Sequence, residues 1–488
     1  MRFISVTALI IALIIPTTVW ATPSVYPTGT TIYKPDKCWS GFTILAGHDG
    51  RLVDMNGNLV KLWPGVVGFP NKIYPGGYLL SSEGTWKYGH QDDLDVQIRD
   101  FDGNVVWHFD HLQQGKANKG EGQMWMARQH HDYQIKGNPV GYYIPDYQTP
   151  NFNKGTMLVL AHYNCKNNKI NDDIQLLSDI MYEVDMATGQ IIWTWKVADH
   201  FDELGFDEDA CKAMHAYAVK PHGEGDGFDW WHQNCASYLG PNRWYDEGDQ
   251  RFHPDNIILD SRQTNVLAIV DHKTGKVVWR CGPNYDQGED KKLDWIIGPH
   301  HTHMIPKGLP GAGNILVYDN GGWAGFGCPN PMSCSGINNL RRYYTRVLEF
   351  DPTTKKIVWE YSPRSLKMPS NMFDYKEFSP FISAAQRLPN GNTLITEGSN
   401  GRVFEVTKDL EVVWEYISPY LYSVPFVRNL VYRAYRVPYE WVPQLEKPKE
   451  VAVNPGGNHQ FQIPAVDGSK PDVGQGKTKM WEPGIGKQ

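Results

Sequence analysis

The sequence has no CxxC pair, no excess of positive charge, and no long apolar run of the kind that crosses a bilayer. Each shortage removes a class of protein. Without CxxC spacing a cysteine zinc site has little support. Lys and Arg number 47 against 54 Asp and Glu, a formal charge of −7, whereas nucleic-acid binding and polybasic membrane binding both need a basic surface. Cysteine is also sparse, with seven in 488 residues, a usage compatible with an oxidising compartment. Cys328 and Cys334 share a Pro/Gly/Ser loop and form a candidate disulfide, and the odd total leaves at least one thiol unpaired.

What is present points to strands and export. Aromatic residues make up 13% of the chain, with 47 Gly and 33 Pro, a composition of short strands and turns. The length suits two or three domains or one large repeat fold. Residues 1–21 resemble a secretory signal. Arg2 is the basic start, Phe3 to Ile15 the apolar run, too short to span comfortably, and Val19-Trp20-Ala21 a cleavage site. The mature chain is therefore expected in the periplasm or medium, with no membrane span after signal removal.

A phrase of the form D-x-x-x-G-x-(I/V)-(I/V)-W recurs six times. The copies are DMNGNLVKLW ending at Trp63, DFDGNVVWHF through Trp107, DMATGQIIW ending at Trp193, DHKTGKVVW ending at Trp279, DPTTKKIVWEY through Trp359 and TKDLEVVWEY through Trp414. Each reads as strand, tight turn and second strand. A second phrase, a turn followed by an apolar strand, sits upstream of most copies. Two hairpins per unit make a four-stranded sheet, and radial repetition of such sheets is an all-β, six-bladed β-propeller, with seven or eight blades possible. The propeller is expected over residues 22–441, with Gln113 to Gln129, Lys166 to Ile174 and His200 to Phe228 as insertion loops. Val424 to Trp441 packs on it, and 442–488 reads as an extended tail. Gly476-Lys477-Thr478 in that tail lacks the earlier glycine of a phosphate-binding loop and is no motif.

The second phrase carries the chemistry. It reads GPHHTHMIPKG at His300, His301 and His303, HHDYQIKGNP at His130 and His131, HQNCASYLGPN at His232, and SAAQRLPNGN with Ser383 in the place of His300. First strands of blades line the channel, so His130, His232 and His300 are expected to converge there with His131 and His301 beside them. Arg262 is the candidate anion clamp, because a guanidinium offers paired donors to a three-oxygen anion. Asn234 and Asn320 leave the same strands as candidate substrate contacts, whereas Arg346 and Arg402 read as blade-edge salt-bridge residues. Clustered imidazoles serve either as nucleophiles in ping-pong transfer or as ligands of a divalent or copper ion. Asp132 is a candidate ligand or imidazole-orienting group. No cofactor and no metal is assigned.

At these residues the chain resembles the bacterial arylsulfotransferase family, periplasmic enzymes that need no nucleotide sulfate donor. HHDYQIKGNPVGYY, HQNCASYLGPN with DNIILDSRQTN, GPHHTHMIPKG with NILVYDNGG, and RLPNGNTLITEGSNGRVFEV carry the likeness across most of residues 40–440. The resemblance implies a six-bladed propeller and transfer of a sulfuryl group from a small aryl sulfate to a phenol through a sulfohistidine. His232 and His300 would contact the sulfate, and Arg262 or a neighbouring cation would neutralise its developing charge. The family's nucleophilic histidine belongs to a late blade, yet no His lies between His303 and His459. Either His300, His301 or His130 takes that role, or the chemistry differs. The rivals are a metal-dependent lyase or hydrolase on sugars or phenolics, a quinoprotein dehydrogenase and a non-catalytic binding propeller.

Overall fold

The computed structural model describes residues 27–47, 49–83, 88–116, 122–222, 225–368, 374–421 and 429–454. The signal-like segment and the Gly476 stretch lie outside them. Six antiparallel sheets, each four strands deep, form the blades of a β-propeller. Their innermost strands are Ala434–Val437, Lys72–Tyr74, Gln129–Ile135, Gln233–Tyr238, Pro299–Met304 and Ser383–Arg387. No helix among the described residues is long and apolar enough to cross a membrane.

The recurring tryptophan phrase forms the outer hairpin of every blade, and its conserved letters each have a job. The leading Asp or Thr caps the turn from its side chain. Asp54 accepts from the Asn58 amide, Asp100 from Asn104, Asp185 from Thr188, Asp271 from Thr274, Asp351 from Thr354, and Thr407 from Glu411. The closing Trp reaches the next blade. Indole N–H groups donate from Trp63 to Asp100 O, Trp107 to Met186 O, Trp193 to His272 O, Trp279 to Pro352 O and Trp359 to Lys408 O. Trp414 donates to Met55 O and closes the circle. Each blade is thus latched to its successor, and at Trp107, Trp279 and Trp414 the bond is buried, so the donor would otherwise be left without a partner.

Both chain ends close the ring. Gly29–Tyr33 adds a fifth, outermost strand to the last blade, pairing with Val412–Ile417. Ala434–Val437 pairs with Phe42–Leu45 as the innermost strand of the first blade, so this segment is part of the channel wall rather than packed upon a finished propeller. Beyond it Val453 bridges back to Tyr33.

The three expected loops contain structure of their own. Gln113–Gly115 pairs with Met124–Met126. Residues around 166–174 are the tip of a long hairpin, Thr156–Asn167 with Asn171–Asp185. The third insertion holds helix Glu208–His215, N-capped by Asp207, and ends by laying Phe228–Asp229 parallel to the third blade. The expected Cys328–Cys334 disulfide is not formed. Both are free and exposed, and the Cys328 thiol donates to Asp209 instead. Arg346 is paired with Asp319, and Arg402 with Glu377, Glu397 and Glu415.

Candidate functional site

The inner strands do not run straight. The ladder slips between Gln129 and Tyr133, between Gln233 and Cys235, and between His300 and His303. A bulge bends a strand and re-aims its side chains. His131, His232 and His301 take φ values of 57°, 52° and 52°, and Ile382 takes 51°. The left-handed region is unusual for histidine and an outlier for a β-branched residue, and such strain gathers at functional sites. The bulges also break the simple alignment of the histidine phrases. His232 lies opposite Arg262, whereas His300 lies opposite Tyr318, deeper along its strand than Asn320, the counterpart of Arg262.

The histidines gather despite that offset. The rings of His130 and His131 lie 4.9 Å apart, those of His131 and His232 4.8 Å, and those of His232 and His90 6.4 Å. His300 is an electrostatic neighbour of His131, His232 and Arg262. His301 lies apart from this group, packed 4.5 Å from His303 and bonded at 3.2 Å to the Tyr435 hydroxyl.

Each ring is held differently. His300 places Nδ1 2.7 Å from Asn320 Oδ1, and its Nε2 accepts from the Ile382 amide at 3.3 Å, so both nitrogens are engaged. Asn320 is committed to this task, since it also accepts from Ser383 and donates to Ser379 O. His130 Nδ1 sits 2.7 Å from His131 Nδ1. His232 is 8% exposed, against 0–2% for His130, His131, His300 and His301. Its Nδ1 is 2.5 Å from Asp229 Oδ2, and its Nε2 has no hydrogen-bond partner among the described residues.

Burial drives His130, His131, His162 and His300 neutral. It pushes His130 down to about 4, with Asp92 and Asp229 opposing, and holds His131, His162 and His300 well below the usual histidine range. For Asp229 burial acts upward, yet the charge and hydrogen bond of His232 outweigh it and hold the carboxyl far below the ordinary range. Burial lowers the Arg262 guanidinium while Asp229 opposes that shift. Arg262 bonds Gln263 and is half-buried, with its other guanidinium donors making no hydrogen bond among the described residues. Asn234 donates to Pro299 O, and its Oδ1 is buried without a partner.

Sequence reasoning missed several members. His162 and Asp179 come from the second and third strands of the third blade, and Asp229 from the short strand that pairs with it. His90, Asp92 and Arg128 complete the surround. The Asp229-x-x-His232 spacing is the one local hint; the rest are brought in by tertiary pairing. Among the described residues Asp132 makes no hydrogen bond or ion pair with an imidazole. It pairs with Lys72 at 2.7 Å and Arg433 at 3.3 Å, all three fully buried.

A cavity of about 320 Å³ meets the cluster at His90 and Asp229 and is bounded on that side by Gln263; His232, Arg262 and His300 do not line it. Its walls include Tyr217 and Phe228, stacked at 3.9 Å, with Phe326 edge-on to Phe228 and Lys220 at the side. Aromatic faces beside Lys220 and His90 suit a ring bearing an anionic group, although Asp226 and Asp229 also line the cavity.

Residues 83–415 match the model of the arylsulfotransferase (ASST) family. No curated protein matches the chain. Among solved structures, a protein of unknown function from Bacteroides caccae aligns with TM-score 0.41 and 11% identity, covering 82% of this chain and 99% of that one. A streptogramin B lyase aligns with TM-score 0.32 and 13% identity over 82% of this chain and 86% of its own. Virginiamycin B lyase from Staphylococcus aureus gives 0.32 and 10%, over 80% and 85%. Likenesses this distant carry no argument about the site.

Proposed function

The chain belongs to the arylsulfotransferase family, and we propose that it is an exported enzyme that moves a sulfuryl group from an aryl sulfate to a phenolic acceptor through His232. The observation that carries this reading is the state of that residue. It is the most accessible of the matched histidines, its Nδ1 is fixed by Asp229, and its Nε2 is unengaged among the described residues. A nucleophile whose far nitrogen is bonded to a carboxylate is the arrangement that activates imidazole.

In the first half-reaction the Nε2 lone pair attacks sulfur, an N–S bond forms and the S–O bond to the donor ring breaks. The phenolate leaves into the cavity. Positive charge then develops on the ring, and Asp229 stabilises it. Arg262, an electrostatic neighbour of both Asp229 and His300, neutralises the sulfuryl oxygens. In the second half the acceptor oxygen, its proton lost to water, attacks sulfur and the N–S bond breaks. Tyr217, Phe228 and Phe326 receive the aryl rings in turn. His300, with both nitrogens engaged, acts as a fixed wall.

Incubation with 4-nitrophenyl sulfate is expected to release nitrophenolate in proportion to added phenol, and donor alone to leave a sulfated peptide containing His232. Release that ignores the acceptor, or a label on another residue, overturns the assignment.

A further inference from the structure

We propose that His130, His162 and Asp179 bind one divalent transition-metal ion, zinc by preference, at the inner end of the third blade. The inference stands on the disposition of these side chains and does not require sulfuryl transfer. Each offers one donor atom, and the three atoms lie within 4.8 Å of one another in a fully buried setting.

Three features favour an ion over a plain hydrogen-bonded cluster. First, the inward atoms are unsatisfied. His130 Nε2, His162 Nε2 and Asp179 Oδ2 are buried without a hydrogen-bond partner, as is Asp229 Oδ1. Buried polar groups are ordinarily paired, so four orphans in one cluster need a common explanation. His130 Nε2 does approach Asp179 Oδ1 at 3.2 Å, but the contact does not meet hydrogen-bond geometry. Second, the outward atoms are arranged as for ligands. His162 Nδ1 is 2.5 Å from Asp92 Oδ1, whose other oxygen takes Arg128 Nε at 2.6 Å. A proton fixed on Nδ1 leaves the Nε2 lone pair facing inward, the usual support of a metal-bound imidazole. His130 is in the same state when its Nδ1 donates to His131 Nδ1, 2.7 Å away. Third, one carboxyl lacks a cation. Asp92 has Arg128, and Asp229 has His232 with Arg262 as its electrostatic neighbour. Among the described residues Asp179 has no Lys or Arg partner; its Oδ1 accepts from the Gln233 amide at 3.1 Å, and its buried Oδ2 is left for a cation.

Two imidazoles and one carboxylate suit zinc bonds of about 2.0–2.2 Å with a fourth position left over. Asp229, coupled to both His162 and Asp179, carries the remaining unpaired oxygen. Rings of His130 and His162, stacked at 3.6 Å, would part slightly to admit the ion.

The test is metal content and affinity of the full chain. Protein grown with added zinc is analysed for metal, stripped with a chelator, confirmed folded by circular dichroism, and titrated with Zn²⁺ and with Co²⁺, whose visible bands report imidazole ligation. Roughly one equivalent per chain is expected, lost in His162→Gln and Asp179→Asn. Asp92→Asn leaves the ligands in place and is expected to weaken binding by about 10- to 100-fold, so it decides the matter should the ligand variants fail to fold. Less than about 0.1 equivalent in folded wild-type chain after loading, or wild-type affinity in all folded variants, overturns the proposal. Sulfate transfer by folded protein that takes up no zinc on loading would sink this inference alone, and zinc binding without transfer would sink the functional reading alone.

Discussion

Replacing Asp229 by Asn isolates the electrostatic part of the proposed site. The amide keeps an acceptor for His232 Nδ1, so the ring is not released, but the negative charge 2.5 Å from that nitrogen is removed. During sulfuryl transfer the imidazole becomes cationic, and a hydrogen bond to a charged partner is worth about 1.5–3 kcal/mol. If that increment is felt in the transition state, the rate falls by roughly 10- to 150-fold, at about 1.36 kcal/mol per decade. The loss is expected mainly in kcat, because the aromatic wall that holds the donor ring is untouched. Initial rates of nitrophenolate release with saturating phenol read it directly, and a salt-independent melting temperature near that of the wild type excludes misfolding. His232→Ala is the companion, with transfer expected at the level of the background. A kcat within about threefold of wild type in Asp229→Asn would refute the reasoning, since no charge-assisted bond to the nucleophile costs so little.

The tryptophan latches make a graded prediction. Trp414→Phe, at a fully buried position, is expected to cost about 2–3 kcal/mol in urea unfolding, from the orphaned Met55 carbonyl and the lost volume. Trp359→Phe, whose bond to Lys408 O is exposed, should cost under about 1 kcal/mol; equal costs would argue against the latch. Arg402→Leu strands Glu397 and Glu415 on a buried blade edge and is expected to destabilise by about 3–5 kcal/mol, checked by the same unfolding assay. Lys72 gives a signed pH dependence. Burial lowers it from 10.5 to about 8, with Asp132 opposing, so between those values the unfolded chain binds the extra proton and stability rises with pH. The wild type should therefore gain up to about 3 kcal/mol relative to Lys72→Met from pH 8 to 10.5, and a flat difference would show that Lys72 is not held neutral by its surroundings.

The blades were legible because each is built from local rules. An Asp that caps a turn and a Trp that ends a strand recur at the same offset, so period and pairing can be read without knowing what touches what. The closure of the ring was not legible. Ala434–Val437 carries no tryptophan phrase, and its partner Phe42–Leu45 lies almost the whole chain away. Arg433 and Arg436, unremarkable in sequence, are fully buried on either side of that closing strand. Arg436 pairs with Glu405 on the neighbouring blade, a contact no periodicity predicts.

The same division runs through the site. Histidines on the innermost strands announced themselves by repeating, whereas His162 and Asp179 sit on second and third strands where repetition implies packing. What brings the two sets together is the unusual length of the third blade's central hairpin, Thr156–Asn167 with Asn171–Asp185. Its extension offers an edge to Phe228–Asp229 in parallel, and that pairing delivers Asp229 to His232 and to the unsatisfied face of His162 and Asp179. An insertion that reads in sequence as a long acidic loop is thus the device that supplies the carboxylate. Bulges on the inner strands then turn His131 and His232 toward it at a conformational cost that a purely structural propeller would have no reason to bear. Shortening the parallel pair, for example by Leu177→Pro, which removes the amide and constrains the backbone at the position opposite Asp229, should therefore abolish transfer more completely than it lowers stability. Near-UV circular dichroism and the phenol-dependent rate measured on one preparation compare the two effects, and proportional losses in both would show that the hairpin supports the fold rather than the chemistry.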